Sequence, residues 1–493
     1  MHFFLINVPI RLDQPPNSFP TGLALIAQVL LDKGHEVQVL DVNAHRYEPE
    51  QVIKQALLSN ADAIGISGLV STYKYQHWLI HELKTHLPGT PVIAGGGCAT
   101  SIPDLMTKHT PVDFLVMGEG ENTICELAAV LENGGVFEDV KGLVFRKGDE
   151  VVRTEPRPLE KDLDRFPLPA YQLFPTEIYI RNEMWGLKKR SINLVSSRGC
   201  PMDCNFCFSI FGRQSYRGRG AESIMEEVRL LKNEYGVDFF GFVDDNLTIK
   251  RKHLLTVCDA LAKEEVEWGC HGRVDTADDE RLSHMAQSGC KWLGFGVESG
   301  SQKILNNMNK RITVEKAKEA VLRTRKHGIF ANTTFIFGYP GEDEESVKET
   351  LRLKLDLDIN AGDFFATPYP GTKLYQMAIE KGLIKDEHEF AMSLNNAYNF
   401  TVNLTDMSDR DFFNLRARAS HELIVALFFK QFKDSKGKEA GFLSVADEML
   451  NKDFLLPETK RYILMGVSRH FEQEGQLLYA YKTKKLAEAF AEL

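Results

Sequence analysis

"SSRGCPMDCNFCFS", residues 196–209, places Cys200, Cys204 and Cys207 within eight residues and supplies no fourth cysteine. A structural zinc site closes with four ligands drawn from Cys and His. No histidine occurs between His109 and His253, so nothing nearby completes such a set. Three unrelated thiols would rarely fall at so regular a spacing. An iron–sulfur cluster remains, because it takes thiolate ligands and can leave one iron open to an outside molecule. An open iron implies chemistry rather than scaffolding.

The segment that carries these cysteines follows an apolar run, "INLVSS" (192–197). Further runs succeed it: "FFGFVDD" (239–245), "EWGCHG" (267–272), "WLGFGVESG" (292–300), "ANTTFIFGYPG" (331–341) and "GDFFATPYPG" (362–371). Helical patterns separate them. In "AESIMEEVRLLKNEYG", Ile224, Val228, Leu231 and Tyr235 mark one face and Gly236 stops the helix. Six βα units of this kind predict a partial TIM-type barrel, with its site at the C-terminal strand ends. The cysteines follow the first strand and therefore belong at that mouth.

Upstream, residues 1–135 alternate in the same way. The strand-like runs are 2–10, 36–42, 63–70, 91–96 and 113–118, with helices such as "GLALIAQVLLDKG" ending at Gly34. Five continuous apolar strands with helical crossovers predict a doubly wound, Rossmann-like parallel sheet. Ligands of such sheets sit beyond the strand carboxyl ends. Small residues gather there: "FPTG" (19–22), "SGLVS" (67–71), "GGGCAT" (95–100) and "GEGE" (118–121). Residues 136–185 break the alternation with a hairpin around Lys147–Gly148 and a proline-punctuated stretch, and read as a connector. The expected organisation is an α/β N-terminal domain over 1–135, the connector, a barrel over 186–394 and a mainly helical region over 395–493. "HELIVALFFKQF" and "QLLYAYKTKKLAEAFAEL" are the clearest helical runs of that last region.

Over 493 residues the hydrophobic fraction is 43% and the charged fraction 26%, as in an ordinary globular protein. Lys and Arg number 59 against 69 acidic residues, a net charge of −10, which argues against a nucleic-acid partner. Eight cysteines without a disulfide framework, and no secretory signal, point to the cytoplasm. No apolar run of about 18 residues suggests a membrane span.

"CPMDCNFC", with the aromatic Phe206 before the last cysteine, resembles the signature of the radical S-adenosylmethionine (SAM) superfamily. The resemblance implies a 4Fe-4S cluster on Cys200, Cys204 and Cys207, whose fourth iron binds the amino and carboxylate groups of SAM. It further implies that Asp244 or Asp245, in "VDDN", contacts the methionine amino end. A loop carboxylate capping the following helix is the alternative for each. Glu298 and Ser299, in "GVESG", would meet the ribose hydroxyls, and Gly338 and Gly341, in "IFGYPGE", the adenine. Arg273 would hold the methionine carboxylate by a forked contact, or else form a barrel-closing ion pair.

The resemblance extends along most of the chain. "GLALIAQVLLDKGHEV", "GISGLVSTY", "GGGCAT", "GEGENTICEL" and "DLDRFPLPA" resemble the cobalamin-binding branch, as do "ESGSQKILNNMNK", "GYPGEDEESVKETL" and "PYPGT" downstream. This implies a cobalamin site at Gly22, Ser67, Gly68, Leu69, Val70, Gly95, Gly96, Gly97, Gly118 and Glu119. The Asp-x-His-x-x-Gly motif that supplies a lower axial histidine is absent, and His45 reads as a solvated loop residue. Cobalt would then lack a protein ligand. Cys98 occupies a position where relatives often carry His, and reads as a small buried residue.

The implied function is methylation of an unactivated carbon or of phosphorus, through a 5′-deoxyadenosyl radical and methylcobalamin. A flavodoxin- or ferredoxin-type electron donor and a small-molecule or protein side-chain substrate are the implied partners. The alternative is a non-methylating member, such as an anaerobic oxidative cyclase or a ring-contracting enzyme. A cobalamin-binding sensor has no use for the cysteine triad. A methylthiotransferase acting on RNA would bring a different N-terminal domain with its own cysteines.

Overall fold

The computed structural model describes residues 1–12, 14–182, 185–212, 216–359 and 362–434, with positions 461, 464, 465 and 484. The run "QLLYAYKTKKLAEAFAEL" lies outside the described residues apart from Lys484. Two compact units are present. The first comprises Met1–Glu298, Leu305–Tyr339 and Asp363–Leu404; the second comprises Ser299–Ile304, Pro340–Gly362 and Thr405–Leu493.

The first unit holds both large sheets. Strands β1 (His2–Asn7), β2 (Glu36–Asp41), β3 (Ala63–Ser67), β4 (Val92–Gly95) and β5 (Phe114–Val116) run parallel in the order β2-β1-β3-β4-β5. Phe4, Ile6, Ile64, Ile66, Val92, Ala94 and Leu115 bury one sheet face against Val52, Leu79, Ile80, Leu83 and Met106. Burial on both faces is why these strands read as unbroken apolar runs. The hairpin expected within the connector, β6 (Leu143–Lys147) and β7 (Glu150–Arg153), pairs antiparallel beside β5. It thus extends this sheet to seven strands.

The second sheet carries the cysteines. Its strands are β8 (Ser191–Leu194), β11 (Phe239–Phe242), β12 (Glu267–Gly272), β13 (Cys290–Glu298), β14 (Phe330–Phe337) and β15 (Asp363–Phe365). All pair in parallel, in the order β15-β14-β13-β12-β11-β8, as an open partial barrel. Between β8 and β11, the short strands β9 (Ser197–Arg198) and β10 (Arg217–Gly218) form an antiparallel ribbon on either side of the cysteine loop.

Polar contacts fasten the two sheets' elements to one another. Asn193, on β8, accepts the Phe19 amide at 2.8 Å and donates to its carbonyl at 3.1 Å. From the 136–185 segment, the Tyr179 hydroxyl donates to Asp41 at 2.8 Å and the Tyr171 hydroxyl to Glu227 at 2.6 Å. Both tyrosines are fully buried, and a buried hydroxyl without such a partner would cost about 1–3 kcal/mol. Tyr171 and Tyr179 thus anchor the later part of this segment.

In the second unit, the helix Glu344–Asp356 begins with a capping box, in which Asp343 accepts the Ser346 amide at 2.9 Å. The helix Asp409–Asp434 includes the run "HELIVALFFKQF", and its Arg418 pairs with Glu344 at 3.0 Å. No helix among the described residues is long and apolar enough to cross a membrane.

Candidate functional site

The C-terminal strand ends enclose two cavities within the first unit. One, of about 460 Å³, is lined by Cys200, Cys204, Cys207, Asp245, Arg273, Glu298 and Lys310. The other, of about 360 Å³, is lined by Gly22, Ser67, Gly95, Gly96, Gly118 and Glu119 on the N-terminal side. Its far wall is Val195, Ile210, Phe211, Val243, Asp244 and Asp245 from the barrel. The two sets of strand ends therefore face a common space, and Asp245 stands on the wall of both cavities.

The cysteine loop is held from below by the two aspartates of "VDDN". Asp244 accepts the Ser196 amide at 3.1 Å and the hydroxyls of Ser196 at 2.8 Å and Ser197 at 2.5 Å. Burial pushes its pKa up to about 6 against those hydrogen bonds. Asp245 accepts the Gly199 amide at 3.1 Å, one residue before Cys200. Neither caps the following helix, which begins at Arg251. Both brace the chain that delivers the cysteines.

Across the cavity, β13 shifts register between Gly296 and Glu298, and Glu298 takes φ +69. A left-handed glutamate at a strand irregularity is strained by about 1–3 kcal/mol, a cost that persists where surrounding contacts fix it. The fixing contact is Lys310, whose Nζ lies 2.8 Å from Glu298 Oε1. Gly296 permits it, since a Cβ there would fall 2.2 Å from that same oxygen.

Arg273 is buried beside Cys204, with Nη1 4.0 Å from the sulfur. Its Nε donates to Asp275 at 2.9 Å and Nη2 to the Lys310 carbonyl at 2.9 Å. Ser299 lies in the second unit, where its hydroxyl accepts the Ser301 amide and pairs with Thr350 at 3.2 Å. Gly338 and Gly341 are not on the wall of the cysteine-lined cavity.

On the N-terminal side, Gly68, Leu69, Val70 and Gly97 stand outside the cavity wall. The chain turns away immediately after Gly68, because the Thr72 hydroxyl and the Gln76 amide both donate to the Leu69 carbonyl. Leu69 is 45% exposed. Gly96 takes φ +80, and a Cβ there would come within 3.1 Å of the Gly68 carbonyl and the Ser67 hydroxyl. Cys98 is fully buried and off the wall, and burial pushes its thiol up to about 12. His45 is exposed and packs its ring on Tyr47.

Sequence reasoning missed an ion network beside this cavity. Glu119 Oε1 accepts from Arg198 and Arg217, each at 2.8 Å, while Glu121 accepts from Arg198 at 2.5 Å. Arg198 also stands over the rings of Phe166 and Phe211 at 5.2 and 5.6 Å. Breaking one partner of so buried a network costs about 3–5 kcal/mol. Arg198 sits two residues before Cys200, so a lone arginine inside the motif was the available signal. Lys310 gave none, because nothing in the spacing from Glu298 connects them.

The residues fit the groups the motifs imply. Three free thiols share one cavity with two cations, a donor set suited to an anionic iron–sulfur cluster. No trio of His, Cys, Asp or Glu among the described residues converges tightly enough for a single metal ion. In a cubane, each thiolate takes its own iron. The glycine-lined cavity at the parallel strand ends fits part of a flat corrinoid.

The Radical SAM superfamily model matches residues 194–353, and the B12 binding domain model matches residues 15–128. An uncharacterized methyltransferase of Pyrococcus horikoshii is 32% identical over 372 residues, covering 74% of this chain and 79% of that relative. An anaerobic magnesium-protoporphyrin IX monomethyl ester cyclase of Cereibacter sphaeroides is 32% identical over 369 residues, covering 72% of this chain and 60% of that one. A solved structure is also similar: the radical SAM methyltransferase TsrM from Kitasatospora setae, with cobalamin and a [4Fe-4S] cluster bound. It matches with TM-score 0.63 over 76% of this chain and 75% of that one. At 19% identity, this likeness speaks for the fold. With a relative at 32% identity over most of its length and both family models in register with the two sheets, the chain belongs to the radical SAM superfamily, in the branch that carries a B12 binding domain.

Proposed function

We propose that this enzyme is a cobalamin-dependent radical SAM methyltransferase acting on an unactivated carbon or on phosphorus. The observation that carries the reading is Asp245, shared by the cysteine-lined cavity and the cavity at the B12-domain strand ends. When bound, the 4Fe-4S cluster with SAM supplies a 5′-deoxyadenosyl radical, and cobalamin supplies the methyl group. Such a substrate centre has neither an acidic proton nor a lone pair, and polar methyl transfer fails there.

The chain's residues then bind, orient and exclude water. Cys200, Cys204 and Cys207 would hold the cluster. Glu298 accepts the ribose hydroxyls, as a carboxylate can. Phe211, Ile210 and Val243 keep the shared space apolar. Asp244 keeps the cysteine loop in place, and Gly22, Ser67, Gly95, Gly96 and Gly118 leave room for the corrin. A flavodoxin- or ferredoxin-type donor in the cytoplasm would supply the electron.

The likeness to the Cereibacter sphaeroides cyclase favours one other reading, an oxidative ring closure. Anaerobic incubation of the full chain with substrate extracts and methyl-labelled SAM separates the two. Label in a product heavier by one methylene supports methylation. Ring closure or oxygen gain without label supports the alternative.

A further inference from the structure

Four histidines that line neither cavity meet where three helices of the first unit pack together. His77 and His81 stand one turn apart on the helix Tyr73–His86, with ring centres 4.6 Å apart. His109 ends the helix Pro103–His109, and His388 lies in the first turn of the helix Glu387–Ser393. The His109 and His388 rings stack, with centres 3.8 Å apart and planes within 11°, and the His77 ring stands 5.4 Å from that of His388. His388 Nδ1 is also 3.3 Å from the Tyr73 hydroxyl. One turn further on, Ala391 is fully buried in the core cluster that holds Tyr73 and Met106, and Met392 packs against it.

The helix Glu387–Ser393 belongs to the chain that follows β15, and both of its flanks reach the cysteine-lined cavity. Ala366, Thr367 and Tyr369 lie on the wall before it, and Ala397 after it. The flanks are tied to each other: the Ala397 carbonyl accepts the Phe365 amide at 2.7 Å, and the Asn395 carbonyl accepts the Tyr369 hydroxyl at 3.1 Å. Whatever holds this helix on Tyr73–His86 and Pro103–His109 therefore also holds one stretch of the cavity rim.

Histidine changes charge near pH 6.5, so a stack of imidazoles is a contact that protons can reach. Burial, then the neighbouring His81 and His388, hold the pKa of His77 below its ordinary value; burial, His388 and Lys108 do the same for His109. The His109 carbonyl, which accepts from His81 at 3.0 Å, favours charge on His81. Tyr73 and the Cys98 thiol behind it are both pushed up by burial and stay neutral. On the His388 side, Asp386 accepts the His388 and Glu389 amides at 2.8 and 2.9 Å, and Glu387 accepts the Tyr375 hydroxyl at 2.8 Å. Asp386 draws the His109 pKa upward, though less than burial and the cations lower it. No ion pair joins a carboxylate to His77, His109 or His388 among the described residues. A group whose pKa is lowered on docking binds fewer protons docked than free. Docking is therefore fully supported above about pH 6.5 and loses support as pH falls below it. We propose that the four histidines form a proton-operated latch: neutral, they hold the helix Glu387–Ser393 and the cavity rim in place, and charged, they release both. The latch stands independently of the radical SAM assignment.

The test is hydrogen–deuterium exchange of the full chain, isolated anaerobically, at about pH 7.5 and about pH 5.5, with rates corrected for the intrinsic effect of pH. Protection over residues 387–394 should fall about tenfold or more at the lower pH, the effect of one pKa unit summed over the cluster. Protection over 364–369 should fall with it, while strand β11, the reference, changes by less than about threefold. His388→Gln keeps a neutral polar group toward Tyr73 and should cut the pH effect over 387–394 to within about threefold. If that variant is already undocked at the higher pH, His77→Gln/His109→Gln removes the charges facing His388 instead, with the same expectation. Wild-type protection over 387–394 that is equal at the two pH values, or a full pH effect that persists in the variant that stays docked, overturns the latch. Loss over 387–394 with 364–369 unchanged overturns its hold on the cavity rim.

Discussion

Asp244 accepts the Ser196 hydroxyl at 2.8 Å, which ties the end of β11 to the end of β8 just before the cysteine loop. The carboxylate is buried, and its pKa is raised from 3.8 to about 6. Between about pH 4 and pH 6 the folded chain therefore holds a proton that the unfolded chain has lost. This group's contribution to stability falls as pH rises through that window, by about 3 kcal/mol in all, and is constant above it. Asp244→Asn has no such titration. In thermal melts of the cofactor-free chain, its Tm relative to wild type should rise between pH 4.5 and pH 7. A difference that stays constant, or falls, would contradict the assignment.

Replacing Cys200, Cys204 or Cys207 singly by Ala should remove the cluster, read as iron content and visible absorption after anaerobic reconstitution. The fold should survive, because each change removes a single sulfur at a cavity wall. Cys98→Ser and Cys270→Ser should keep full iron content. Both thiols are fully buried, and their burial raises their pKa values, which disfavours the ligating thiolate.

Gly96→Ala places a Cβ at φ +80 and within 3.1 Å of the Gly68 carbonyl. Strain and crowding together should cost about 1–3 kcal/mol. Expressed in binding, cobalamin affinity should drop about tenfold or more. The cluster should be retained, and absorbance titration with hydroxocobalamin reads both quantities. An unchanged affinity would mean that the corrin does not use this strand end.

His45→Ala should leave the absorption and EPR spectra of bound cobalamin unchanged. The ring is exposed, rests on Tyr47, and is not on the wall of the glycine-lined cavity. Loss of a nitrogen-ligand signature in this variant would show that His45 reaches cobalt.

The parallel strands were legible because burial on both faces leaves an unbroken apolar run, as in "AIGIS" and "FFGF". Helix ends were legible where the chain adopts a left-handed turn, as at Gly236. What escaped was mostly tertiary. The hairpin β6–β7 was visible, but nothing in its alternation says that it pairs with β5. Ser196 lies 48 residues before Asp244, and a carboxylate's partner at that distance leaves no periodic trace. Glu298 and Ser299 were read together on the resemblance carried by "GVESG", but the spacing does not tell their present partners: Lys310 for Glu298 and Thr350 for Ser299.

Asp245 bears on whether the two cavities serve one reaction. Its side chain is on both walls, and its only hydrogen bond among the described residues is from the Gly199 amide. Burial raises its pKa. Asp245→Asn can still accept from Gly199 and should retain the cluster. Asp245→Leu removes that acceptor and puts an apolar branch across the boundary between the cavities. With methyl-labelled SAM and no substrate, passage of label to the bound corrinoid should fall about tenfold or more in the Leu variant, roughly 1.4 kcal/mol or more in the barrier. Asp245→Asn, which keeps the Gly199 contact, should leave both label passage and 5′-deoxyadenosine formation within about threefold of wild type, less than 1 kcal/mol. Label passing at the wild-type rate in Asp245→Leu would mean that the methyl group does not cross at this residue. The shared wall would then have no part in the transfer.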